Sequence, residues 1–112
     1  MKATPQYREM AKNQEARIYT VRFLHFLHTY HGYTFVTYNI VEDYWFRVYR
    51  KADPRFSIRT VERKMRELAE EGYLERRREG KTYAFYFTPK FHQLVLQLGS
   101  ALEPITAKGA MA

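Results

Sequence analysis

The segment from Ser57 to Phe87 constrains the fold most, because its pattern changes from helical to extended at a single glycine, Gly72. Ser57 is a helix-capping residue, and the apolar residues after it recur at helical spacing. When each residue is advanced by about 100°, one arc collects Ile58, Val61, Met65, Leu68 and Ala69. The segment therefore predicts a helix with one buried face, which Gly72 ends.

Two strand patterns follow this helix, at Tyr73–Arg78 and Thr82–Phe87. Glu79 and Gly80 form the turn between them, and Gly80 can adopt the positive φ that tight hairpin turns use. We therefore predict a β-hairpin directly after the helix.

A further helix start follows the hairpin, since Thr88 is a capping residue and Pro89 suits the first helical position. Gly99 is the predicted stop signal of this helix. Its apolar stripe consists of Phe91, Leu94, Val95 and Leu98.

Upstream, a long helix is predicted from about Gln14 to Tyr30, with Gly32 as its stop signal. One face carries Ile18, Val21, Leu24, His25 and His28. The opposite side carries Tyr19, Phe23 and Phe26. A helix that is apolar on both sides needs two partners. One is the core, and the other is either the C-terminal helix or a second subunit.

Between these parts, Tyr33–Thr37 has the alternation of a short strand. Asn39 and Glu42 have the spacing of a capping box. We expect a helix over Ile40–Tyr49, and its predicted buried residues are Val41, Tyr44, Trp45 and Val48.

The charge pattern points to a polyanionic partner. The 112 residues carry a formal net charge of +7. Arg50 to Arg66 contains seven basic and two acidic residues, whereas Glu67 to Glu75 contains four acidic and no basic ones. Arg76 to Lys81 is basic again. The chain has no cysteine, which excludes disulfides and thiolate chemistry, and it has no apolar run long enough to span a membrane.

On the helix that begins at Ser57, the side opposite the buried arc is cationic in the N-terminal half and anionic in the C-terminal half. Arg59, Thr60 and Arg63 lie in its first half, and Glu67 and Glu70 lie in its second half. Phosphates would attract the first half and repel the second. We therefore expect this helix to approach a nucleic acid with its N-terminal end, where the helix dipole adds positive potential.

Residues 34–88 resemble the winged helix-turn-helix family. The resemblance rests on four features: the helix that begins at Ser57, the passage from helix to strand at Gly72-Tyr73-Leu74, the basic hairpin tip, and the last strand leading into the C-terminal helix at Tyr86 to Pro89. The chain looks like small viral or archaeal winged-helix regulators. The resemblance implies a three-helix core with a two- to three-stranded wing and a C-terminal helix, a mainly helical α+β fold.

The resemblance also implies a transcriptional regulator that binds double-stranded DNA and needs no cofactor or metal. Arg59 and Arg63 suit base edges in the major groove, guanine above all. The wing is expected on an adjacent backbone or minor groove. The complete set of expected DNA-binding residues is Arg55, Ser57, Arg59, Thr60, Arg63, Lys64, Arg66, Arg76, Arg77, Arg78 and Lys81.

These expectations define a domain division and an assembly. We predict a monomer or a homodimer formed through the first and C-terminal helices, in an intracellular location, either cytoplasmic or at the nucleoid of a host cell. The predicted division is a flexible N-terminus over 1–12, a winged-helix domain over 13–98 with its recognition helix at 57–71, wing at 73–87 and C-terminal helix at 89–98, and a disordered tail over 99–112.

Three alternatives stay open from the residues. The same fold could bind a protein, or exposed tyrosines could stack on RNA or single-stranded DNA. His25, His28 and His31 could hold a metal, although packing is the more ordinary role of such histidines. An enzyme is not expected, because the chain has no phosphate-binding loop, zinc-protease or nucleophile-elbow motif.

Overall fold

The computed structural model describes residues 5–52 and 56–99. The chain is mainly helical with a small antiparallel sheet, which confirms the expected α+β class. Its elements are α1 (Pro5–His31), β1 (Phe35–Thr37), α2 (Tyr38–Tyr44), a π-helical turn (Trp45–Tyr49), α3 (Arg50–Ala52), α4 (Ile58–Glu70), β2 (Leu74–Glu79), β3 (Thr82–Phe87) and α5 (Pro89–Leu98).

Helix α1 begins at Pro5, upstream of the predicted start near Gln14 and within the segment expected to be flexible. Proline suits this position because the first helical N–H has no intrahelical acceptor. At the other end, Gly32 has a φ of 74° and the Tyr33 N–H donates to the Leu27 carbonyl at 3.3 Å. This is the backbone pattern of a glycine-terminated helix, so the predicted stop signal is confirmed.

Both apolar sides of α1 are buried within this one chain. Val21 and Leu24 on one side, and Phe23 on the other, have no exposed surface. The ring of Tyr19 lies edge-on to the rings of Tyr49 and Phe56, at centroid distances of 5.3 and 4.8 Å. The segment that follows α2 thus supplies much of the second partner of α1, which was expected to be the C-terminal helix or a second subunit.

The segment after β1 differs from its prediction at both the cap and the buried face. Thr37, not Asn39, caps α2, and its hydroxyl accepts from the Ile40 N–H at 3.3 Å. Val41 and Trp45 are buried as predicted, but Val48 is 42% exposed and Tyr49 is buried in its place. A π-helical turn has more residues per turn than an α-helix, and it therefore moves the inward position from Val48 to Tyr49.

The hairpin joins β1 in one sheet of order β1-β3-β2. Val36 pairs with Phe85 in the centre of the sheet, and both are fully buried. Gly72 has a φ of 88° between α4 and β2, and the N–H of Tyr73 donates to the Leu68 carbonyl at 2.9 Å. The predicted change from helix to strand at Gly72 is confirmed.

The C-terminal helix α5 has the predicted bounds and cap. The Thr88 hydroxyl accepts from the Phe91 N–H at 3.3 Å and lies 2.9 Å from the Gly72 carbonyl oxygen. It thereby joins the start of α5 to the end of α4. Phe91 and Leu94 are buried, whereas Leu96, on the outer side of α5, is 80% exposed.

Several expectations lie outside the described residues. They concern the DNA contact of Arg55 and the tail beyond Gly99.

Candidate nucleic-acid interface

The N-terminal half of α4 presents the cationic surface that the sequence predicts. Ser57 caps the helix, since its hydroxyl accepts from the Thr60 N–H at 3.3 Å. Arg59 and Arg63 are exposed, and Thr60 is half-buried with its hydroxyl 3.2 Å from that of Ser57. The free N–H groups of the first turn face the same end, so helix and side chains are positive together.

The anionic half of α4 begins directly beyond Arg63. The guanidinium of Arg63 lies 4.0 Å from the Glu67 carboxylate, and both side chains are about half exposed, at 55% and 41%. A pair at this distance in water is weak. Arg63 is therefore free to exchange Glu67 for a stronger anion.

Lys64 differs from its prediction. It was expected among the DNA-binding residues, but its side chain is only 8% exposed. Its ammonium donates to Glu67 at 3.0 Å and to the side-chain oxygen of Asn13 at 3.5 Å. The reason is that α1 extends upstream of its predicted start at Gln14, which brings Asn13 against this side of α4. We therefore leave Lys64 out of the candidate contact set.

A carboxyl pair connects α2 to α4 beside the cationic surface. Burial raises the pKa of Glu62 above its ordinary value, and the neighbouring carboxyl of Glu42 raises it further. Arg66 and Arg59 act in the opposite direction. Arg66 is exposed and interacts with Glu62, so part of its charge is already balanced within the protein.

The hairpin arginines divide between the two faces of the hairpin, as the alternation of side chains along a strand predicts. Arg76 and Arg78 share one face with Tyr83. The Arg76 guanidinium lies 4.7 Å from the centre of the Tyr83 ring, and Arg78 donates to the Gly80 carbonyl at 3.2 Å. Both arginines are exposed beyond the edge of the core.

Arg77 lies on the outer face, where its charge is neutralised locally. It donates two hydrogen bonds to the Glu75 carboxylate, at 3.0 and 3.1 Å, and lowers the pKa of that carboxyl. Its guanidinium also stacks 4.2 Å from the centre of the Tyr86 ring. The opposite side of Tyr86 is stacked on Phe35 at 4.9 Å.

The structure does not gather all the expected residues into one patch. Arg76 lines a depression with Ala69 and Glu70, so the base of the hairpin adjoins the anionic half of α4. Lys81 is exposed in the two-residue turn at the hairpin tip. The described candidates therefore form two cationic regions, the first turns of α4 and the outer part of the hairpin.

Sequence reasoning missed the contribution of α1 to this side of the molecule. Lys12, Asn13 and Arg17 line grooves beside α4 together with Arg63. The guanidinium of Arg17 also pairs with Glu71 at 2.7 Å. The segment before Ala16 has no apolar stripe, so periodicity gave no signal there. Proline at position 5 was the available sign of an earlier helix start.

The histidines of α1 contact different groups. The imidazole of His28 lies 2.9 Å from the Tyr33 carbonyl oxygen and packs against His92 of α5, with ring centroids 4.9 Å apart. His31 is 3.0 Å from the Tyr44 hydroxyl instead. Within residues 5–52 and 56–99, no group of three or more histidine or acidic side chains is arranged to hold a metal ion.

Comparisons of the chain with protein-family models, curated proteins and solved structures gave no significant match. Over the described part of the chain, no helix combines the length and apolar character needed to cross a membrane.

Proposed function

We propose that this chain is a winged-helix protein that binds double-stranded DNA, in the manner of a transcriptional regulator. The observation that carries the proposal is the exposed face of α4, which is cationic at its N-terminal half and anionic at its C-terminal half. The resemblance of residues 34–88 to winged helix-turn-helix proteins adds to it. The sheet order β1-β3-β2, with β1 between α1 and α2 and the β2–β3 hairpin directly after α4, is compatible with such a fold.

The charge distribution sets how α4 would approach a duplex. Arg59 and Arg63 would enter the major groove first, while Glu67 and Glu70 would stay farther from the phosphates. An arginine that contacts a guanine with two hydrogen bonds discriminates against other bases by about 1–3 kcal/mol. Arg63 would release its weak contact with Glu67 on binding. Arg59 and Arg63 are thus the residues for sequence preference.

The hairpin would add affinity through the phosphate backbone or the minor groove. Arg76, Arg78 and Lys81 are exposed and suited to this contact. Arg77 is less suited, because Glu75 binds its guanidinium on the outer face. We therefore expect the three exposed cations to contribute to salt-dependent affinity and Arg77 to contribute less.

Single-strand or RNA binding through the outer face of the sheet has less support. That mode requires aromatic rings with a face open for base stacking. The ring of Tyr86 has Phe35 on one side and the Arg77 guanidinium on the other, so neither face is open. Competition among duplex DNA, single-stranded DNA and structured RNA separates the two modes, and we expect the duplex to compete best.

A homodimer, if one forms, would use α5 more than α1. The apolar sides of α1 are occupied within the chain, whereas Leu96 of α5 is 80% exposed. A regulator that binds as a dimer selects a target with two-fold symmetry. Measurement of molecular mass in solution for the wild type and for Leu96→Gln tests this arrangement.

The direct test of the proposal is a gel-shift titration of Arg59→Ala and Arg63→Ala at several salt concentrations. Each variant should bind a selected duplex about 5- to 150-fold more weakly, since a lost bidentate base contact costs about 1–3 kcal/mol. Glu70→Ala, on the same helix, is the matched control and should not weaken binding. Wild-type affinity in both arginine variants would refute the proposed docking of α4.

A further inference from the structure

A groove runs between α1 and α4 beside the proposed major-groove surface. Its two parts have volumes of about 640 and 460 Å³. Asn13 and Arg63 line both parts, so the two depressions adjoin each other. Thr60 lines the part nearer the start of α4, and Glu67 lines the other. The groove therefore follows α4 from its cationic end toward its anionic end.

The described side chains that line this groove carry an excess of positive charge. The cations are Lys12, Arg17, Arg63 and Lys64, and Glu67 is the carboxylate among the lining residues. Glu67 is shared, since it accepts from Lys64 at 3.0 Å and lies 4.0 Å from Arg63. Even when Glu71, the partner of Arg17, is included, the cations outnumber the carboxylates by two.

Burial strengthens this positive potential. The Lys64 side chain is only 8% exposed and lies in the wall of the groove. A charge with protein around it is screened less than one in open water. A concave surface of one charge sign also concentrates the potential for an incoming anion. Glu67, which accepts from Lys64 at 3.0 Å, offsets part of this potential, so the exposed cations Lys12 and Arg63 are the ones available to an incoming anion.

We propose that this groove binds the sugar–phosphate backbone of the duplex whose major groove receives α4, which makes α1 part of the DNA-binding surface. The inference rests on the proposed function. The groove offers a lysine, an amide and a hydroxyl, at Lys12, Asn13 and Thr60, which are side-chain types that contact phosphates. It is open and continuous with the exposed face of α4, so it suits a polymer that passes along the helix.

This arrangement gives α1 and α4 different tasks. Arg59 and Arg63 distinguish bases, whereas Lys12 and Asn13 fix the position of one strand without regard to sequence. Loss of Lys12 should therefore weaken specific and random duplexes by the same factor. Loss of Arg59 should weaken the selected duplex more than the random one.

The test is the salt dependence of duplex binding by Lys12→Gln, measured by fluorescence anisotropy on a selected and a random duplex. The slope of log K against log salt should become shallower by about one, the value for one lost phosphate contact. Affinity should fall by the same factor, several-fold, on both duplexes. The control is Lys90→Gln, which removes an exposed lysine from α5 whose ammonium donates to the Glu71 carbonyl, and it should leave the slope unchanged.

A second measurement locates the strand directly. In an NMR titration with a short duplex, the backbone amide signals of residues 12–17 should shift together with those of the first turns of α4. A wild-type slope in Lys12→Gln, with no shift over 12–17 and weakened binding in Arg59→Ala, would overturn the groove assignment and leave the proposed function intact. A wild-type chain that binds no duplex would overturn both.

Discussion

Replacing Lys64 by methionine removes a charge that the fold keeps away from water. The Lys64 side chain is 8% exposed, and its ammonium lies 3.0 Å from the carboxylate of Glu67, which is 41% exposed. At this separation the attraction is about 5 kcal/mol for an effective dielectric of about 20. The cost of burying an ammonium is also several kcal/mol, so the net contribution of the pair is small.

The asymmetry of burial gives opposite expectations for the two partners. In Lys64→Met, the remaining Glu67 is in contact with water and the methionine fills a similar volume, so the free energy of unfolding should change by less than about 1 kcal/mol. In Glu67→Ala, the buried Lys64 ammonium keeps its contact with the side-chain oxygen of Asn13 at 3.5 Å but loses the carboxylate. The loss should then be about 1–3 kcal/mol.

Urea denaturation at pH 7 of the two single variants and the double variant measures these changes. The double variant should be close to Lys64→Met, because Glu67 no longer has a buried charge to balance. Glu70→Ala is the control for removing an exposed carboxylate from α4, and it should stay within about 0.5 kcal/mol of the wild type. A loss of about 3 kcal/mol in Lys64→Met, equal to or above that of Glu67→Ala, would refute the reasoning.

Three further predictions concern stability. Burial, and then the carboxyl of Glu42, raises the pKa of Glu62 in the folded chain above 4.5. The free energy of unfolding of the wild type should therefore fall as pH rises from 4.5 through that raised pKa. In Glu62→Gln, the midpoint of urea denaturation should depend less on pH. Burial, and then the charges of His28 and His92, lowers the pKa of His25 below 6.5. The free energy of unfolding should therefore fall as pH falls below 6.5. The fall should be smaller in His25→Gln, measured by the same urea denaturation. Gly72→Ala should destabilise the chain by about 1–2 kcal/mol in thermal unfolding, because its φ of 88° suits glycine; an unchanged midpoint would contradict this.

The hairpin and α4 could be predicted because local chemistry determines both. Ser57 supplies the cap, Gly72 and Gly80 supply the positive φ values, and Thr88 with Pro89 supplies the next helix start. Each of these signals lies within a few residues of the structure it produces. For the same reason, the division of the hairpin arginines between two faces could be predicted from alternation alone.

The π-helical turn could not be predicted in this way. Val48 and Tyr49 are both apolar enough for a core position, and an α-helical spacing from Trp45 favours Val48. The choice depends on the contacts of the Tyr49 ring with Tyr19 and Phe23, at 5.3 and 4.6 Å. These contacts connect residues far apart in sequence, which periodicity does not include.

The candidate site shows the same limit. The exposure of Arg59 and Arg63 follows from the helical arc of α4 and was predicted. The burial of Lys64 depends on the part of α1 upstream of Gln14, where no apolar stripe predicts a helix. The pairing of Arg77 with Glu75 could not be predicted from the strand alone, because it also depends on the rotamers of the two side chains.

Selection of bound duplexes from a random pool tests the central claim most directly, with the wild type and Arg63→Ala in parallel. The account predicts that the wild type enriches a common motif containing guanine. Arg63→Ala should enrich a motif that has lost one base preference while keeping the others. A wild-type pool that stays random after repeated selection would contradict the account, as would the same motif from both proteins.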